Sequence, residues 1–136
     1  MRFDNKTVLM TGAASGLGRA TAIQLAKEGA RLSLVDVNSA ALEETRQIVL
    51  QYAPQAEVFL MTADVADEKA VQDYVNQTVE KYGAIDGFFN NAGVEGKQSP
   101  TADYSTEEFQ RVLSINLNGV FYGLKYVLGV MQKQGH

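Results

Sequence analysis

The chain has 136 residues, close to one domain on the usual prior of about 150, and its 46% hydrophobic and 21% charged residues are those of a folding globular chain. Disorder and low complexity are excluded, and a net charge of −4 argues against nucleic acid as a partner. With no cysteine, disulfides, thiolate metal sites and cysteine nucleophiles are excluded as well.

Met1 to Asn5 carries charges and leads straight into a short apolar run, without the long apolar stretch of a secretory signal, so a cytoplasmic location is expected. That run, Thr7 to Thr11, reads as a first strand, and Leu17 to Glu28 as a helix closed by Gly29. Arg31 to Asp36 is a second strand. Ser39 to Tyr52 then places Leu42, Thr45, Ile48, Val49 and Tyr52 on one helical face, with Pro54 as a stop. Glu57 to Thr62 is a third strand, and Asp67 to Tyr82 carries Val71, Tyr74, Val75, Thr78, Val79 and Tyr82 at helical spacing before Gly83. Ile85 to Phe89 is the fourth strand.

Beyond a turn-rich loop, Val94 to Asp103, the run Ser105-Thr106-Glu107-Glu108 has the spacing of a capping box and predicts a long helix over 106–134. Phe109, Val112, Leu113, Asn116, Val120, Leu124, Val127 and Met131 are its expected inward face. Leu117, Phe121, Tyr122, Tyr126 and Val130 make other faces apolar too, which predicts cover by the sheet on one side and by a second subunit on another. Val112 to Met131 has the length of a membrane span, but Ser114, Asn116, Asn118 and Lys125 interrupt it, so no membrane partner is expected. Repeated strand–helix units with right-handed crossovers imply an α/β, doubly wound parallel sheet.

Thr11-Gly12-Ala13-Ala14-Ser15-Gly16-Leu17-Gly18 lies between the first strand and the first helix. There Gly12 permits a sharp turn, Gly16 lets backbone approach a pyrophosphate, and Gly18 allows close helix packing. The free amides and positive dipole end of the helix would face phosphate. No Lys-Ser/Thr follows at P-loop spacing. Asp36, at the end of the second strand, would accept from adenosine ribose hydroxyls and repel the extra phosphate of NADP, which favours NAD. As a bland reading, Asp36 caps the next helix, and an S-adenosylmethionine-binding methyltransferase shares both features.

Asn90-Asn91-Ala92-Gly93 directly after the fourth strand, and Asn116 within Ser114-Ile115-Asn116-Leu117-Asn118-Gly119, break that tie. With the glycine turn, these segments resemble the short-chain dehydrogenase/reductase family from residue 7 to about residue 134. Within it, Leu32 to Val37, Ile85 to Gln98 and Ser114 to Gly119 are most similar to cyclohexanedione reductases. The resemblance implies a Rossmann-like sheet of order 3-2-1-4 with later strands outside residues 1–136. Those residues would then form the dinucleotide-binding portion of a larger single domain, about 250 residues in size.

The resemblance also implies a site. Gly12, Ser15, Gly16, Leu17 and Gly18 would line the pyrophosphate and nearby ribose, Asp36 and Val37 the adenosine ribose, and Asp64 and Val65 the adenine edge. Asn91, Ala92 and Gly93 would pass the ribose at backbone range, and Ile115 would lie near the nicotinamide. Asn90 would tie adjacent strand ends together. Asn116 is the one member of the family's Asn-Ser-Tyr-Lys tetrad placed here, its carbonyl holding a water where the helix is locally distorted. No metal ligand set is read, and His136 is given no role.

In such enzymes a tyrosine with a lysine four places on does the acid–base work of hydride transfer. No Tyr-x-x-x-Lys occurs in this chain. The expectation is therefore the cofactor-binding part of an NAD-dependent oxidoreductase acting on a small alcohol or ketone, inactive alone, with homo-oligomerisation through the long helix. The alternative is a stand-alone dinucleotide-binding module or an inactive truncation product.

Overall fold

Short β-rich runs alternate with amphipathic segments, and the computed structural model, which describes residues 1–136, turns that alternation into strands and helices in sequence. They are β1 (Thr7–Thr11), α1 (Gly16–Lys27), β2 (Arg31–Asp36), α2 (Ser39–Tyr52), β3 (Val58–Thr62), α3 (Glu68–Tyr82) and β4 (Gly87–Phe89). A 3-10 turn (Thr101–Asp103), α4 (Thr106–Leu113), a π turn (Ser114–Asn118) and α5 (Gly119–Gln134) follow. The strands form one parallel sheet in the order β3-β2-β1-β4, the doubly wound, Rossmann-like arrangement expected. Thr7 pairs with Arg31, Leu32 with Val58, and Val8 with Gly87.

Because strand side chains alternate, each strand feeds both faces of the sheet. Val8, Met10, Leu32 and Leu34 pack with Leu42 and Val49 under α1 and α2. Leu9, Val35 and Met61 pack with Val71, Tyr74, Val75 and Val127 under α3 and α5. Leu9, Leu32 and Leu34 are fully buried, so truncating any one to alanine costs about 2–5 kcal/mol.

Helix ends follow their capping residues. Asn38 Oδ1 accepts from the Ala41 amide at 3.0 Å, and Asp67 Oδ1 from the Lys69 amide at 3.0 Å. Ser105 Oγ accepts from the Glu108 amide at 3.2 Å, but the Glu108 carboxylate turns to Arg111, so only half of the expected capping box forms. The fourth strand is shorter than expected because Ile85 spends both backbone groups on Gln134. Its amide donates to Gln134 Oε1 at 2.8 Å and its carbonyl accepts from Gln134 Nε2 at 2.9 Å.

The long helical run departs most from expectation. Phe109, Leu113, Asn116 and Leu124, read as inward, are exposed, while Gly119, Gly123 and Val127 are buried and Tyr122, Tyr126, Val130 and Met131 pack on the core. In the helix before the π turn the buried position falls to Glu108, and from Ser114 onward two physical reasons act together. The π turn winds more residues per turn and shifts the phase of everything beyond it. Small residues then let the helix axis approach the sheet: a Cβ on Gly119 would lie 2.9 Å from Val65 Cγ2, and one on Gly123 2.9 Å from Phe88 Cζ. Tyr52, read on the apolar face of the second helix, is also exposed.

Candidate functional site

The glycine turn after β1 is held from three sides. The Ala13 amide donates to the Val35 carbonyl at 3.2 Å and the Ala14 amide to Asp36 Oδ2 at 3.0 Å, tying the turn to β2. Arg19 reaches back from α1 and donates to the Ala14 carbonyl at 2.7 Å, the Ala41 carbonyl at 3.2 Å and Thr45 Oγ1 at 2.9 Å. Behind the turn, a Cβ on Gly18 would run into the Gly12 carbonyl, so Gly18 acts by close packing. Gly16 opens α1 with φ +54, and nothing lies within 4 Å of where its Cβ would stand. Backbone amides at a helix start thus face open space, an arrangement that suits an anion.

The far side of the turn is joined to β4. Thr11 Oγ1 accepts from the Asn91 and Ala92 amides, each at 3.0 Å, and Asn91 Nδ2 donates to the Thr11 and Gly12 carbonyls at 3.3 Å. The tie between adjacent strand ends is therefore made by Asn91. Asn90, to which it was assigned from sequence, donates from Nδ2 to the Val120 carbonyl at 2.9 Å and anchors α5 instead.

These loops enclose a cleft of about 700 Å³ at the carboxyl ends of the strands, where the chain leaves β1 for β2 on one side and β4 on the other. Such a switch point is where open α/β sheets bind ligands. Gly12, Ser15, Gly16 and Leu17 line it from the turn, and Asp36 and Val37 from the end of β2. Asp64 and Val65 line it from the end of β3, Asn91, Ala92 and Gly93 from the end of β4, and Ile115 from the π turn. Gly18 and Asn116 stand outside the lining, Gly18 behind the turn and Asn116 clamped to Val94. The distortion expected at Asn116 is present, since the π turn is centred on it.

Ala63, Ala66, Val94, Arg111 and Ser114 also line the cleft. Arg111 and Ser114 lie four and one residues before Ile115, so helical neighbourhood was the available signal for them. Asp36 accepts on both oxygens, Oδ2 from Ala14 and Oδ1 from the Asn38 amide at 3.1 Å. Asp64 Oδ1 accepts from the Ala66 amide at 2.9 Å. Lys97 and Glu95 are exposed in the loop after β4 and do not line the cleft.

The family model for the short chain dehydrogenases matches residues 6–136. The chain belongs to the short-chain dehydrogenase family. Among family members, levodione reductase of Leifsonia aquatica is 58% identical over 134 residues, covering 98% of this chain and 50% of the relative. Cyclohexanol dehydrogenase of Acinetobacter sp. (strain SE19) is 38% identical, covering 92% and 49%. The chain thus spans about half the length of the curated short-chain dehydrogenases it matches. Among solved structures, levodione reductase superposes with a TM-score of 0.97 over 98% of this chain and 52% of that one, at 58% identity. NAD+-bound xylitol dehydrogenase gives 0.95 at 40% identity, over 100% and 52%. A family member from Burkholderia phymatum in complex with NAD gives 0.93 at 34% identity, over 100% and 47%. No helix of the chain is long and apolar enough to cross a membrane.

Proposed function

We propose that this chain is the NAD-binding part of a short-chain oxidoreductase that transfers hydride between the nicotinamide and a small alcohol or ketone. The carrying observation is Asp36: a carboxylate on the rim of a glycine-floored cleft, with its backbone bonds leaving lone pairs for further donors. It suits the two ribose hydroxyls of NAD and repels a 2′-phosphate. Arg19, the cation next to the glycine turn in sequence, is committed to Ala14, Ala41 and Thr45. NAD-bound structural relatives support the same cofactor here.

The residues fit the cofactor, since the open space over Gly16 at the start of α1 is what a pyrophosphate requires. When bound, NAD supplies the carbon that takes or gives hydride. Gly12, Ser15, Gly16 and Leu17 hold the phosphates, with Gly18 seating the turn. Asp36 and Val37 orient the adenosine ribose, Asp64 and Val65 take the adenine edge, and Asn91, Ala92, Gly93 and Ile115 direct the remainder. The π turn breaks the regular helical ladder at Asn116, which supports that residue's carbonyl as the holder of a relay water. With no Tyr-x-x-x-Lys, these 136 residues bind cofactor without turning substrate over.

Relatives named for levodione and cyclohexanol favour a small ring ketone or alcohol as substrate. The exposed stripe Phe109, Leu113, Leu117, Phe121, Leu124 and Leu128 supports a homo-oligomer through the long helix. Fluorescence titration with NADH and NADPH, on the protein and on Asp36→Ala, tests the cofactor reading. NADH should bind more tightly, and the variant should lose the preference. Equal or tighter NADPH binding by the unsubstituted protein overturns it.

A further inference from the structure

Asp36, Asp64 and Arg111 are the charged side chains that line the cleft, so its single cation stands on α4, away from the glycine turn. Arg111 is not a free surface arginine. Its Nε and Nη2 donate to the two oxygens of Glu108 at 3.1 and 2.8 Å, a bidentate pair that fixes the guanidinium plane. Glu108 is itself 8% exposed, and its amide is held by Ser105 Oγ. Arg111 nevertheless keeps 49% of its side chain open. The pair uses one N–H of Nε and one of Nη2, so it fixes the guanidinium plane and leaves both faces of that plane unpaired.

The position along the helix indicates what those faces meet. Val65, at the end of β3, is pressed against Gly119, and Arg111, about two helical turns earlier on the same run, lines the cleft with Val65. Ala63, Asp64, Val65 and Ala66 line the same cleft from the end of β3. The glycine turn belongs to β1, two strands over, or roughly 10 Å from β3. A guanidinium fixed by its edge is a flat platform on which an aromatic base stacks.

We propose that Arg111, held flat by Glu108, forms the second face of the adenine pocket and stacks on the purine opposite Val65. This rests on the NAD reading above, and the test separates the two. Binding of NADH, of AMP and of reduced nicotinamide mononucleotide, which lacks adenine, is measured on the protein and on Arg111→Ala and Arg111→Lys. Arg111→Ala should weaken NADH and AMP about three- to ten-fold and leave the mononucleotide unchanged. Arg111→Lys keeps the charge without the plane and should recover only part of the loss. Unchanged NADH and AMP affinity in Arg111→Ala, an equal loss for the mononucleotide, or full recovery by Arg111→Lys overturns the stacking role while the NAD reading stands. If the unsubstituted protein binds neither NADH nor AMP, both fall.

Discussion

Asn116 and Val94 grip each other at both ends of one side-chain amide: the Val94 amide donates to Asn116 Oδ1 at 2.8 Å, and Asn116 Nδ2 donates to the Val94 carbonyl at 2.7 Å. The pair pins the loop after β4 to the middle of the π turn, so the residue read as catalytic from sequence also shapes the cleft. Asn116→Ala removes both bonds and should cost about 1–2 kcal/mol in urea unfolding, with faster hydrogen exchange at the Val94 amide. Asn116→Asp keeps the acceptor and loses the donor, and should fall between the two. Wild-type exchange at Val94 in both variants would show that the clamp does not hold the loop.

The glycines of the turn separate packing from ligand approach. Gly18→Ala drives a methyl into the Gly12 carbonyl and should destabilise the protein by about 1–3 kcal/mol or more, read from the thermal midpoint. Gly16→Ala meets no neighbour and bears only the left-handed backbone cost, about 1–2 kcal/mol. It should retain the fold while losing NADH affinity, because the methyl stands in the open space over the helix start. Equal stability loss in the two variants would contradict this division.

Acid should loosen the end of the molecule opposite the cleft through Asp86. Burial pushes the Asp86 carboxyl upward, but the Thr7 amide at 2.8 Å, His136 at 3.1 Å and Lys6 at 3.7 Å outweigh it, and the group sits below the usual carboxylate range. A depressed carboxylate contributes stability that is fully present above its unfolded pKa, about 3.9, and is lost as pH falls through its lower folded value. Urea unfolding of the wild type should therefore weaken below about pH 4. Asp86→Asn should be less stable at pH 7 and show a shallower fall between about pH 4 and pH 2. An identical acid limb in both proteins would remove Asp86 from the account.

Leu117 at 60% and Phe121 at 57% exposure sit on the apolar stripe of the long helix, clear of the core packing made by Gly119, Gly123 and Val127. Replacing both with glutamate should leave the melting profile of the monomer fold intact and lower the mass measured by light scattering at micromolar concentration. An unchanged mass places the contact between copies elsewhere.

Local chemistry was written in the sequence. Alternation of β-rich and amphipathic runs, with Asn38, Asp67 and Ser105 at helix starts, specified the elements and the parallel sheet, because each signal acts within a few residues. The Thr11–Gly18 turn, Asp36 and the Asn91–Gly93 segment specified most of the cleft for the same reason: each directly follows a strand, and the sheet brings strand ends together. Three matters were decided by tertiary structure alone. Which asparagine ties β1 to β4 depended on side-chain reach, which neighbours in sequence do not reveal. Which face of the long helix is buried depended on the π turn and on two glycines that trade side-chain bulk for close approach. That Glu108 fixes Arg111 rather than completing its expected cap depended on a competition between two bonds that only the folded chain resolves.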